Sequence, residues 1–316
     1  MLISVVIPTC NRPSTIGAAI DSIIGTQYED YEIIIVDQSA NDDTKQLVTS
    51  RYSNNSRVRY IHSDVMCSSD SRNVGWREAL GEYIAFTDDD AFVDKNWLHS
   101  YADEIKKNHY QIGMIGGRIV PLFQTPRPHW LPEEKDFFLP SFDAGEETVP
   151  FPENCLPISV NLVASKALLE SIGGFDTRLG LKNGSNTAFV TGGEDSFLGI
   201  KARAAGFPLT YLPSAVVYHP ITAARLTIGF FLRRSFREGA TTIAIEEAKC
   251  SHTQDQLEGH IRWHSKNLFY LISQLFKRAF LSTHQRSKAV MLTASDLAYS
   301  YGVVQYSKHL KTKLSR

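Results

Sequence analysis

Short apolar runs alternate through the first half of the chain with segments whose apolar residues recur every three or four positions. That alternation predicts a mostly parallel sheet flanked by helices. Ile3 to Pro8 reads as a first strand, and Pro13 and Ser14 suit the start of a helix running to about Gly25. Glu32 to Asp37 is a second strand, followed by a helix over about Asp43 to Arg51. Val58 to His62 is a third strand, Ser69 to Ala79 a helix, and Tyr83 to Thr87 a fourth strand. Asp94 suits the cap of a helix from Lys95 to Asn108, after which Ile112 to Val120 returns to the sheet.

The pattern then breaks. Eight of the chain's 13 prolines fall between Pro121 and Pro157, a density that argues against regular structure and for a substrate-covering loop. Beyond it, Ser159 to Ala164 is strand-like, Gly192-Gly-Glu-Asp195 opens a helix to about Ala205, and Leu209 to Leu212 and Ala215 to His219 are short strands. From Thr222 onward the chain reads as helical. The expected organisation is a catalytic domain over 1–221, with a nucleotide-binding half (1–120) and an acceptor half (121–221), followed by a helical region over 222–316. Past Gly259 that region has ten basic residues against one acid, Asp296, with Leu268, Leu271, Ile272, Leu275 and Phe276 at helical spacing. Either it lies on an anionic membrane surface through its basic helices, or it packs on the catalytic domain with a solvated basic face.

Charge and composition narrow the classes. A formal net charge of -1 gives no electrostatic case for nucleic acid. Cys10, Cys67, Cys155 and Cys250 are scattered without Cys-x-x-Cys spacing, which argues against a cysteine zinc site and for a reducing compartment. The chain opens on a strand-like run rather than a leader, and no stretch reaches eighteen apolar residues. These features give a cytoplasmic protein as the expectation, at most peripheral on the inner face of the plasma membrane.

Against this background the run Asp88-Asp89-Asp90 stands out, because it follows a buried strand directly. Adjacent carboxylates repel, so a cation is expected among them. In a parallel sheet Pro8, Thr9, Asp37 and Asp88 to Asp90 emerge at the same edge, where such folds bind ligands. Asp37 suits a nucleoside's hydroxyls or ring N–H, and Arg72 and Asn73 offer a guanidinium fork and an amide for phosphate or base. A divalent cation on the acids would neutralise a diphosphate. His219 is a candidate to complete the metal shell, since imidazole suits Mn2+ better than Mg2+. Several of these residues have a structural reading as well: Asp37 and Asp94 as helix caps, Asp89 as a bystander, His219 as a structural histidine, Asp195 as a helix N-terminal acid, and Trp130 as a loop anchor instead of an acceptor platform.

The segments Ser4-Val-Val-Ile-Pro-Thr-Cys-Asn-Arg12, Ile35-Val-Asp37-Gln-Ser39, Arg72-Asn73-x-Gly75, Asp88-Asp-Asp90, Gly173-Gly-Phe-Asp176 and Gly193-Glu-Asp195 occur in that order. Together, over residues 1 to about 220, they resemble the family 2 glycosyltransferases. The resemblance implies the GT-A fold, an α/β doubly wound sheet, and an inverting, hexosyltransferase-type transfer from a nucleotide diphosphate sugar, UDP first, to a glycan or lipid-linked acceptor. It implies that Pro8, Thr9, Asn11, Arg12, Asp37, Arg72, Asn73, Asp88 and Asp89 form the donor pocket. The same likeness gives Asp90 to a divalent metal, Mn2+ or Mg2+, and makes Asp195 the general base, with Glu194 beside it. Trp130 and Gly193 are acceptor-side candidates, and Arg203 or Arg233-Arg234 could support the departing diphosphate. No clear Gln-x-x-Arg-Trp motif is present, which speaks against a processive enzyme. A sugar nucleotidyltransferase would share fold and metal, but the Pro8 to Arg12 segment lacks a Gly-rich triphosphate loop. A non-catalytic nucleotide-sugar or glycan-binding module is the other alternative, and the intact acids speak against it.

Overall fold

The computed structural model describes residues 1–65, 67–180, 192–278 and 283–315. They form two compact units, one built from the described residues of 1–122, 140–180 and 194–220, the other from those of 123–139, 192–193 and 221–315.

The first unit is the α/β domain. Its strands and helices are β1 (Ile3–Thr9), α1 (Pro13–Ile24), β2 (Tyr31–Asp37), α2 (Asp43–Tyr52), β3 (Val58–His62), α3 (Ser68–Glu78), β4 (Tyr83–Phe86), β5 (Phe92–Val93), α4 (Trp97–Lys107), β6 (Met114–Phe123), β7 (Val149–Pro150), β8 (Leu162–Ser165), α5 (Lys166–Ile172), α6 (Glu194–Ala204) and β9 (Leu209–Ile221). The sheet runs β3-β2-β1-β4-β8-β6-β9-β5, with β7 beside β9. Its first four strands are parallel, and β1 lies between β2 (Thr9 opposite Asp37) and β4 (Val6 opposite Phe86). The largely apolar runs of β1, β2 and β4 are buried on both faces, Val5 and Ile7 against α1 and α4 on one, Val6 and Ile34 with residues of α3, α5 and α6 on the other, while β3 at the sheet edge is only part buried.

Past β4 the sheet turns antiparallel. β8 runs against β4, with Leu162 opposite Phe86, and β5 runs against β9, with Phe92 opposite Tyr218. Each reversal brings a late segment to the edge where the parallel strands end. Leu209 to Ile221 is one strand, not the expected two, so Pro213 interrupts the ladder without ending it. The strand expected from Ser159 instead begins with a 3-10 turn, Ser159–Asn161. Asn161 there is a buried hub: Trp97 Nε1 and Tyr101 Oη donate to its Oδ1 at 2.7 and 2.6 Å, and its amide donates to the Arg118 and Ala215 carbonyls at 2.7 and 2.9 Å. Helix α4 begins at Trp97, two residues later than the sequence suggests, because Asp94 closes a turn on the Asn96 N–H rather than capping the helix.

The second unit contains α7 (Ile228–Lys249), α8 (Gln254–Arg278) and α9 (Thr283–Leu314). Helices α7 and α9 touch at glycines: a Cβ on Gly239 would lie 2.1 Å from the Tyr299 carbonyl oxygen, and one on Gly302 2.0 Å from that of Phe236. Ile243, Leu257, Val303 and Leu310 form an apolar core across the three helices. Residues 123–139 of the proline-rich stretch belong to this unit. Leu131, Phe138 and Leu139 are buried with Leu226, Phe231 and Met291, and Lys135 pairs with Asp296 at 3.0 Å. Among the described residues no helix is long and apolar enough to cross a membrane.

Candidate active site

The parallel register sets Thr9 beside Asp37 and carries the chain leaving β4 past the end of β1. Thr9 Oγ1 donates to Asp89 at 2.7 Å, and Arg12 Nη1 reaches Asp89 at 2.9 Å and Asp90 at 3.2 Å. Arg72 stands between Asp88 and Glu194, 3.2 Å from each. Much of the repulsion expected within the acidic run is therefore met by two guanidiniums, and the run alone does not require a metal ion.

The three acids have different environments. Asp89 is buried, and burial pushes its carboxyl up to about 6 despite Arg12 and Thr9. It ties the β1–α1 loop to the β4 end. Asp88 and Asp90 remain part exposed. The β5–β9 pairing brings His219 alongside, with Nε2 3.3 Å from Asp90 Oδ1. His219 is buried, and its Nδ1 lies 3.0 Å from the Pro220 carbonyl oxygen, an acceptor that fixes the proton on Nδ1 and leaves the Nε2 lone pair facing the carboxylate. Two acceptors facing each other at that distance need a cation between them or a proton on the ring. Asp88, Asp90 and His219 each offer one ligand atom, all within 4.8 Å of one another. The donor set thus fits a hard or borderline divalent ion.

On the other side of Arg72, α6 opens with Glu194 and Asp195. Gly193 precedes them at φ +86°, which a larger residue would adopt only with strain. Glu194 is buried against Ser68 Oγ at 2.9 Å and Arg72, and burial raises its pKa above the ordinary carboxylate value. Asp195 is more open. Its Oδ2 lies 3.3 Å from the Ser159 N–H and 3.5 Å from Ser159 Oγ, and its Oδ1 accepts from its neighbour Ser196. Ser159 and Ser68 have no spacing signal in the sequence; the β4–β8 reversal and the start of α3 bring them in.

Several expected ligands also have partners inside the protein. Asp37 is fully buried, with the Ser39 N–H and Oγ on Oδ1 at 2.9 and 2.5 Å and the Tyr60 hydroxyl on Oδ2 at 2.8 Å, so it braces the β2 loop. Asn73 is buried too: its amide donates to the Phe175 carbonyl at 2.7 Å, and its Oδ1 accepts from Phe175 N and Trp76 Nε1 at 2.9 Å each. It clamps the Gly173-Gly-Phe-Asp176 turn, whose Gly174 has φ +67°. Arg203 donates to the carbonyls of Phe151, Pro152, Glu153 and Cys155, and so holds a loop rather than a phosphate. Arg234 lies over the Phe138 ring, 5.8 Å from its centre. Trp130 packs edge-on against Phe231 at 5.7 Å. Asn11 and Arg12 are exposed, and Asn11 takes φ +55° with its N–H on Ser39 Oγ at 2.7 Å. Pro8 lies on β1 opposite Val36.

Residues 4–162 match Glycosyl transferase family 2. The chain belongs to the family 2 glycosyltransferases. A relative from Rickettsia felis, an uncharacterised glycosyltransferase, is 29% identical over 216 residues, covering 58% of this chain and 34% of its own. The GalNAc(5)-diNAcBac-PP-undecaprenol beta-1,3-glucosyltransferase of Campylobacter jejuni is 34% identical over 90 residues, 28% of this chain and 29% of its own. This family 2 chain thus aligns with about a third of the length of these relatives. Its fold is that of Staphylococcus aureus TarS residues 1–349, at TM-score 0.53 and 18% identity, over 98% of this chain and 91% of that one; the TarS segment has also been crystallised with UDP.

Proposed function

We propose that this chain transfers a sugar, with inversion, from a nucleotide diphosphate donor to an acceptor hydroxyl. One observation carries the reading: Arg72 bridges Asp88, at the end of β4, and Glu194, which precedes Asp195, so the candidate donor and acceptor sides share one guanidinium.

On this reading Asp195 Oδ2 takes the acceptor's hydroxyl proton. The freed oxygen forms a bond to the anomeric carbon, and the bond from that carbon to the diphosphate oxygen breaks on the opposite face, its electron pair leaving with the diphosphate. Ser159 orients the base, and buried Glu194, held by Ser68 and Arg72, keeps the turn before it in place. Asp88, Asp90 and His219 would hold a divalent ion, Mn2+ or Mg2+. When bound it supplies positive charge to the diphosphate, and the imidazole favours Mn2+. Arg12, half exposed beside Asp89 and Asp90, is the further cation within this cleft. UDP is the preferred donor nucleotide, in keeping with the TarS complex. A glycan or lipid-linked acceptor is in keeping with the Campylobacter jejuni relative, which is named for a polyprenyl-linked substrate.

The membrane reading also has support. From Gly259 to Arg278, α8 has no acid, and Trp263, Phe269, Tyr270 and Phe276 are exposed together with Arg262, Lys266 and Lys277. An aromatic and basic face of this kind suits an anionic lipid surface at which a lipid-linked acceptor would be met.

The test is a screen of nucleotide sugars for transfer or hydrolysis, with chelator and with Mn2+ restored. Turnover of at least one donor that is lost on chelation and regained with Mn2+ is expected. Turnover indifferent to chelation would remove the metal from the account, and no donor turned over or bound would overturn the enzymatic reading.

A further inference from the structure

The helical unit has a second convergence of imidazole and carboxylate, unconnected with glycosyl transfer. Glu246 lies in the last turn of α7, His252 in the turn that follows, and His260 two turns into α8. His252 Nε2 is 3.5 Å and His260 Nε2 3.6 Å from the same atom, Glu246 Oε2. The three ligand atoms lie within 4.8 Å of one another.

Two features separate this cluster from a chance surface grouping. First, His252 is oriented from behind. It is buried, its Nδ1 lies 2.6 Å from Glu247 Oε2, and that same oxygen accepts the His252 N–H at 2.8 Å. The carboxylate fixes the proton on Nδ1 and turns the Nε2 lone pair toward Glu246, the arrangement by which a carboxylate sets a histidine for metal ligation. Second, the spacing suits an ion better than hydrogen bonds. Contacts of 3.5 and 3.6 Å are long for N–H···O bonds. A tetrahedral ion with bonds of about 2.0–2.1 Å sets its ligand atoms about 3.3 Å apart.

We infer that Glu246, His252 and His260 bind a Zn2+ ion that clasps the turn between α7 and α8. A His-His-Glu set is a zinc donor set, and three protein ligands leave a fourth position for water or an incoming group. His260 and Glu246 are part exposed, so the ion has a route in from solvent. The ion would close the six-residue reach from α7 to His252 and join it to α8.

The test uses the full chain carrying Asp90→Asn and His219→Ala, which silences the other candidate cation site, after treatment with chelator. Titration with Zn2+ is followed by calorimetry, and with Co2+ by the visible bands of a four-coordinate ion. One equivalent should bind, with a rise in thermal midpoint. His260→Ala, at a part-exposed position that leaves the fold intact, should weaken binding at least about a hundredfold, and Glu247→Gln, which removes only the orienting carboxylate, about ten- to a hundredfold. The Glu247→Gln response separates a built site from adventitious chelation by surface imidazoles. Zn2+ affinity unchanged by His260→Ala and Glu246→Gln, or no Zn2+ bound by the parent, would overturn the inference and leave an ordinary histidine–glutamate ion pair.

Discussion

Asn73 and Asp195 are both polar residues in family motifs, yet they do opposite work. Every hydrogen-bonding group of the Asn73 side chain seen to bond is spent inside the protein, on Phe175 and Trp76, while Asp195 keeps part of its surface open. Asn73→Ala would leave the Phe175 N–H and carbonyl and the Trp76 indole N–H without partners. We expect a loss of about 3 kcal/mol of stability in urea unfolding, with nucleotide affinity per folded molecule unchanged. An unchanged midpoint would show that the clamp is dispensable. Strand ends and helix starts are legible in apolar periodicity, which is why Asp88, Asp90, Arg72 and Asp195 stood out as candidates. A sequence gives a residue's polarity but not which of its atoms are already bonded, so the internal partners of Asp37 and Asn73 were not legible.

At the scale of elements, strand and helix positions were largely legible, and the sheet's second half was not. A strand buried on both faces has the same apolar run whether its neighbour is parallel or antiparallel. Nothing in Leu162 to Ser165 announces that it runs against β4, nor in Ala215 to His219 that it lies beside β5. His219 could therefore be suspected from its position at a strand end, but its approach to Asp90 depends on that pairing. The C-terminal stripe was partly legible. Leu271 is buried as helical spacing suggests, but Ile272 and Phe276 from the same stripe are exposed. If the open face of α8 meets lipid, Phe269→Ser with Phe276→Ser should lower co-sedimentation with anionic phosphatidylglycerol vesicles at least about tenfold, since each phenylalanine contributes about 1.5–3 kcal/mol when buried. Both side chains are exposed, so the thermal midpoint should hold. Equal sedimentation of variant and parent would remove the membrane role.

For the whole molecule, the chain order of the motifs was enough to indicate the family, because each motif marks a different strand or helix end at one edge of a sheet. The proline-rich stretch gives no sign in the sequence that Leu131, Phe138 and Leu139 are buried with Phe231 and Met291. What joins the candidate site into one machine is Arg72, with Asp88 on one side and the Glu194-Asp195 turn on the other. The central claim is that Asp195 removes the acceptor proton. Its most direct measurement compares parent and Asp195→Asn in single-turnover transfer from a UDP-sugar with Mn2+ present, alongside UDP binding by calorimetry. The Asp195→Asn rate should be lower by about 10²–10⁴-fold with UDP affinity unchanged. Equal rates in the two proteins would contradict it.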